Sequence, residues 1–190
     1  MKRLLVILIF TLSLFCEVTA ASFEEAISFT LKMEGSTIDK TNGKIHSKYG
    51  ITKETLNKFN KKYKTNLQLT TLSKTNASKV AKNLLWDIYK LDNVHNNIVG
   101  IAMFDLLFNS NPDNASIIIQ KTVNEIKGKN YVKVDGNVGN KTISTINEID
   151  PELFVKTLCK NRLAYMKKIK TWSKYGKGWT KRVNSIIALI

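Results

Sequence analysis

Glu34 stands where an amphipathic run gives way to a polar loop: Met33-Glu34-Gly35, then Asp39, Asn42-Gly43 and His46, then Ser47-Lys48-Tyr49-Gly50-Ile51-Thr52. Breaking a glycosidic bond requires a protonated carboxyl beside the leaving oxygen. The negative end of a helix dipole and apolar neighbours, here Phe29 and Met33, are surroundings in which a carboxyl keeps its proton. Glu34 therefore fits a general acid. The competing reading of the same residue is a solvated helix-end carboxylate.

Other chemistries find less support. His46 and His95 are the only histidines and neither opens a ligand-spaced cluster, so no metal site and no cofactor is expected. Neither a nucleophile elbow nor a glycine-rich phosphate or dinucleotide loop is present. Cys159 lies at helical spacing among Leu153, Phe154, Val155, Leu158 and Leu163 and reads as a buried structural thiol. Asp105 sits among apolar residues and must be paired or face a cavity, because an isolated buried charge is costly. Asn109, one turn on, is a candidate substrate contact. Trp86, Tyr89, Trp172 and Trp179 read as packing residues before sugar-stacking ones. Asp135-Gly136 reads as a turn, and His46 as an exposed loop residue.

The elements that must position these groups are mostly helices. Apolar positions from Phe23 to Met33 trace one face of a helix capped by Ser22 and closed by Gly35. Asn42-Gly43 can join two short strands. Thr52 opens a helix carrying Leu56, Phe59 and Tyr63, and Ser73 or Thr75 opens one running through Val80, Leu84, Leu85, Ile88 and Tyr89. The nearly continuous apolar run from Ile98 to Phe108, broken by Gly100 and Asp105, predicts a central buried helix. Asn111-Pro112 caps the next, from Ala115 to Ile126. After a turn-rich stretch, helices are expected from Thr142, from Pro151 to about Lys170, and from Trp179 to Ile190. The expected fold is mainly α, with at most a small β-hairpin near residues 38–50.

The 190 residues are 43% hydrophobic, enough to bury a sizeable core, and Lys+Arg outnumber Asp+Glu 30 to 15. That surplus suits an anionic polymer, whether nucleic acid, cell-wall glycan or an anionic membrane; it is equally compatible with mere compositional bias. Lys2-Arg3, the apolar run Leu4 to Phe15 and Val18-Thr19-Ala20-Ala21 have the three parts of a secretory signal, with cleavage after Ala20 or Ala21 and Cys16 inside the signal. The apolar run is shorter than the roughly 20 residues a bilayer span needs. The protein is therefore expected to be exported to the periplasm or extracellular space, without a stable membrane span after processing and without a nucleic-acid partner.

The order Phe23, Ala26, Leu31-Lys32-Met33-Glu34-Gly35, then Ser47-Lys48-Tyr49-Gly50-Ile51-Thr52, resembles the N-terminal signature of glycoside hydrolase family 108. Those are bacterial and phage N-acetylmuramidases, some first labelled secretion activators, related in fold to the lysozyme superfamily. Trp86-Asp87, Phe104-Asp105 with Asn109-Ser110, and Arg162, Tyr165, Gly178-Trp179 and Arg182 follow in the family's order. Ala115, Ile119-Gln120 and Val134-Asp135-Gly136 with Gly139 and Thr142 are similar to its C-terminal peptidoglycan-binding-like region. The resemblance implies a lysozyme-like helical globule, with a signal over 1–20, a muramidase region over 22–110 and a peptidoglycan-binding-like region over 111–190. It implies Glu34 as catalytic acid and places Tyr49, Gly50, Ile51 and Thr52 at the wall of the cleft; Ser47, which falls at the loop's usual threonine, joins Tyr49, Thr52 and Asn109 as the expected substrate contacts. The expected partner is the glycan strand of peptidoglycan, met by a monomer. Two departures stand out: Ser36 replaces a usual second glycine, and the loop's usual acidic position falls near Asn42. Either the loop is re-registered so that Asp39 serves as second carboxylate, or no second carboxylate acts. A non-catalytic peptidoglycan-binding or secretion-accessory protein is the alternative.

Overall fold

A computed structural model describes residues 20–34, 38–41 and 44–190. The signal-like stretch up to residue 19, the expected C-cap at Gly35 and the expected Asn42-Gly43 turn lie outside the described residues. The Oγ of Ser22 accepts from the Glu25 N–H at 3.3 Å and opens α1 (Phe23–Glu34). This helix buries Phe23, Ala26, Ile27, Thr30 and Leu31 and ends on Glu34.

The expected hairpin is part of a three-stranded antiparallel sheet, β1 (Ile38–Thr41), β2 (Lys44–Lys48) and β3 (Ile51–Thr52), in that order. The third strand arises because Tyr49 and Gly50 both take positive φ, 53° and 73°, as a two-residue type I′ turn requires. Lys48 then pairs with Ile51 across that turn. Ser47 pairs with Asp39 on one side and Thr52 on the other. Directly opposed residues project to the same face of a sheet, so Asp39, Ser47 and Thr52 form one row across it.

Thr52 also caps α2 (Lys53–Tyr63), its Oγ1 accepting from the Thr55 N–H at 3.1 Å, and Ser73 caps α3 (Lys74–Ala81) in the same way. The helix expected to continue to Tyr89 instead widens into a π turn over Lys82–Trp86. That turn carries Trp86 into the core, edge-on to Phe23 and Phe104 at 5.5 and 5.7 Å, with its indole N–H on Asp92 at 2.7 Å. Trp86 is thus a core residue.

The central helix α4 (Asn97–Asn109) buries every residue from Val99 to Leu107. Both interruptions of its apolar run have causes. A Cβ on Gly100 would stand 2.4 Å from that of Ala21, so the glycine admits the chain entering α1. Asp105 meets arginines. Around α4 pack α1, α5 (Pro112–Lys127) and α7 (Pro151–Met166), while α6 (Asn140–Asn147) lies on α5 and α8 (Trp172–Ile187) on α7. The last helix starts at Trp172 rather than Trp179 and passes through Gly176, where a Cβ would meet the Trp172 ring at 2.7 Å. Cys159 is buried on α7, and burial pushes its thiol up to about 11, as suits a structural thiol.

The Asp135-Gly136 stretch is a turn held from below by α5. The buried Gln120 amide accepts the N–H groups of Asp135 and Gly136 at 3.1 and 2.9 Å and donates to the Asp135 carboxylate and the Asn137 carbonyl, both at 2.9 Å. Gln120→Leu strands those N–H groups and is expected to cost about 2 kcal/mol. Urea denaturation would measure the loss, and hydrogen exchange should accelerate first at Asp135 and Gly136.

Candidate active site

Glu34 ends α1 with its side chain 21% exposed. It lines a cleft of about 580 Å³ with Ser47, Gly50 and Thr52 from the sheet, Lys58 from α2, Leu84 and Leu85 from the π turn, and Asn109 at the end of α4. The closeness of sheet and helix depends on Gly50. A Cβ there would lie 2.4 Å from the Phe108 ring and 3.2 Å from the Glu34 Cγ, and the positive φ adds strain for any other residue. Gly50 thus lets the hairpin turn rest directly on the acid.

Of the residues singled out from sequence, Glu34, Ser47, Thr52 and Asn109 come together on this cleft. Asp39 is exposed on β1, in the row with Ser47 and Thr52 but outside the cleft lining. Tyr49 is not in that lining either; as first residue of the turn it packs toward the core, with the Lys48 ammonium 5.6 Å from its ring centroid. His46 is exposed and lines a separate groove with Leu67, Gln68 and Thr70. Among the described residues no group of three or more His, Cys, Asp or Glu stands where it could hold a metal ion.

Behind the cleft lies a closed ring of polar side chains. Arg182 donates through Nη1 to Glu34 Oε1 and grips Asp105 through Nε and Nη2, at 3.0 and 2.7 Å to Oδ1. Arg162 donates through Nη1 to Asp105 Oδ2 at 2.8 Å and through Nη2 to the Asn109 side-chain Oδ1 at 3.1 Å. The Asn109 amide returns to Glu34 Oε1 at 3.5 Å. Thr30 adds a hydroxyl to Asp105 at 3.2 Å. Asp105 is 0% exposed. Burial alone would raise its carboxyl, but Arg162 and then Arg182 outweigh that and hold it below the ordinary aspartate value. Burial likewise pulls Arg182 down, while Asp105 and then Glu34 keep it above its usual range.

Sequence reasoning placed Arg162 and Arg182 only as marks in a family order and gave them no part in the site. A signal was there: a buried aspartate needs a cation, and only three of the 30 basic residues are arginines, Arg3, Arg162 and Arg182. Removing Asp105 leaves two guanidinium groups uncompensated in the interior, so Asp105→Ala is expected to cost about 3–5 kcal/mol by urea denaturation. A depressed carboxyl stabilises fully above its unfolded value and loses that contribution as pH falls through its folded value. The stability gap between wild type and variant should therefore hold at neutral pH and narrow below about pH 4.

Comparison with known proteins agrees with this geometry. Residues 27–110 match the family model described as glycosyl hydrolase 108, and residues 114–184 match one described as a predicted peptidoglycan domain. The solved structure of Brucella abortus SagA is similar at 27% identity and a TM-score of 0.73, covering 88% of this chain and 92% of that one. No curated protein sequence matches. Glu34, the hairpin turn and most of the cleft lining fall within the first match, so residues 27–110 are similar to the glycosyl hydrolase 108 family and the segment behind them to a predicted peptidoglycan domain.

Proposed function

We propose that the protein is an exported N-acetylmuramidase that hydrolyses the bond between N-acetylmuramic acid and N-acetylglucosamine in peptidoglycan. The observation that carries this reading is the placement of Glu34, at the end of α1, on the wall of a cleft and held from behind by Arg182 and Asn109. The match to the glycosyl hydrolase 108 model supports glycoside hydrolysis and the match to the peptidoglycan domain supports peptidoglycan as the polymer.

Glu34 in its protonated form delivers the proton to the leaving oxygen. Arg182 and Asn109 then act as positioning residues that fix the plane of the carboxyl against the bond. Water attacks the anomeric carbon from the polar wall made by Ser47 and Thr52, and the carboxylate offered for its proton is Asp39, which shares their row although it stands outside the cleft lining. Tyr49 supports the turn that carries Gly50. The excess of lysine keeps the enzyme near an anionic wall, an attraction that salt weakens.

Turbidity of purified peptidoglycan, with mass spectrometry of the released ends, tests the proposal. Wild type should clear the suspension and leave new reducing ends on muramic acid, while Glu34→Gln should lose at least about a hundredfold in rate. Undiminished cleavage by Glu34→Gln, or cut peptide cross-links in place of glycan ends, would sink it. Wall binding without cleavage by the wild type would assign the chain an accessory role instead.

A further inference from the structure

No residue of α8 lines the cleft, yet one row along this helix does not look like an ordinary solvated surface. Trp172, Tyr175, Trp179 and Arg182 follow at spacings of three and four, so they stand in one row along the helix. Tyr175 is its exposed member, Trp172 and Trp179 are partly buried against the core, and Arg182 is buried behind Glu34. The rings are in mutual contact, Trp172 to Trp179 at 6.1 Å and Tyr175 to Trp179 at 5.9 Å between centroids.

Trp172 lies flat over Gly176, which has no side chain to lift it, and beside it opens a shallow groove shared with Ser173, Lys177 and Thr180. Tyr175 is 45% exposed. Between 153 and 190 there are ten lysines and arginines and no aspartate or glutamate. Of these cations Lys167, Lys168, Lys170, Lys174, Lys177 and Lys181 are exposed, with the Lys174 ammonium 4.9 Å from the Tyr175 ring centroid and Lys177 in the groove beside Trp172.

We propose that the exposed side of this aromatic row, Tyr175 and the groove beside Trp172, is a second binding face for the peptidoglycan strand, separate from the cleft. Sugar rings stack on Trp172 and Tyr175, Ser173 and Thr180 meet hydroxyl or acetamido groups, and the lysines meet the carboxylates of the wall peptides. Charge complementarity selects an anionic polymer. The helix has already spent its apolar side, Val183 and Ile186, on the core, which leaves no continuous apolar face to lie in a bilayer. The choice of glycan over another polyanion rests on the peptidoglycan reading above, since the row falls within the domain over 114–184.

Sedimentation with purified sacculi tests the proposal on the full chain, with Glu34→Gln as parent so that cleavage does not intrude. Adding Tyr175→Ala, alone and with Trp172→Ala, should weaken binding by about tenfold or more for the pair, whereas Tyr175→Phe should retain it. Melting temperatures show that the variants are folded, and the exposed Tyr175 carries the test if Trp172→Ala is not. Parallel arms use anionic phospholipid vesicles and single-stranded DNA. Equal sedimentation of parent and alanine variants overturns the proposal, as does a parent that does not bind sacculi. So does binding to vesicles or DNA that exceeds binding to sacculi and is lost in the same variants. The cleavage assay is read separately, so failure of the muramidase reading and failure of this face are distinct results.

Discussion

Asp105 is the constraint around which the site is assembled. A carboxylate at the centre of an apolar helix is tolerable only when cations answer it, and here two arginines do, one from α7 and one from α8. Each has a second task that the pairing makes possible. Arg162 continues to Asn109 and Arg182 to Glu34, so one buried charge sets the positions of two residues on the cleft wall. Lysine, abundant elsewhere in the chain, could not replace them, because a point charge cannot bridge two acceptors with a planar fork.

The ring also explains why the two matched regions are interdependent. Glu34, Asp105 and Asn109 belong to the hydrolase region, while Arg162 and Arg182 belong to the peptidoglycan-type domain. The second region therefore does more than follow the first: without α7 and α8, Asp105 would be a bare buried charge and the acid would lose its backing. On the other side of Glu34 the sheet approaches as closely as Gly50 permits. The acid is held between a turn that has no side chain and a helix that brings a guanidinium.

Helix positions and caps were largely legible in the sequence because they rest on local chemistry, as Ser22, Thr52, Ser73 and Asn111 show. What depended on distant partners was not. Nothing local marks the π turn that seats Trp86, since the cause lies in Phe23 and Phe104. The early start of α8 was hidden by its glycines, one of which exists to admit the Trp172 ring. At the site, residue type and position singled out Glu34 and Asn109 as candidates, while the residues of the cleft wall were named only through the family resemblance. Their connection through Arg162 and Arg182 spans gaps that no periodicity reveals, and only the oddity of a buried aspartate pointed to it.

The central claim is that Arg182, anchored by Asp105, positions the Glu34 carboxyl for proton delivery. Steady-state turnover of Arg182→Lys on isolated glycan strands tests it most directly, with melting temperature as a control for folding. The account predicts a fall in kcat of about a hundredfold with little change in KM, since the lysine keeps a charge but loses the two-sided grip. Wild-type kcat in a folded Arg182→Lys protein would contradict it.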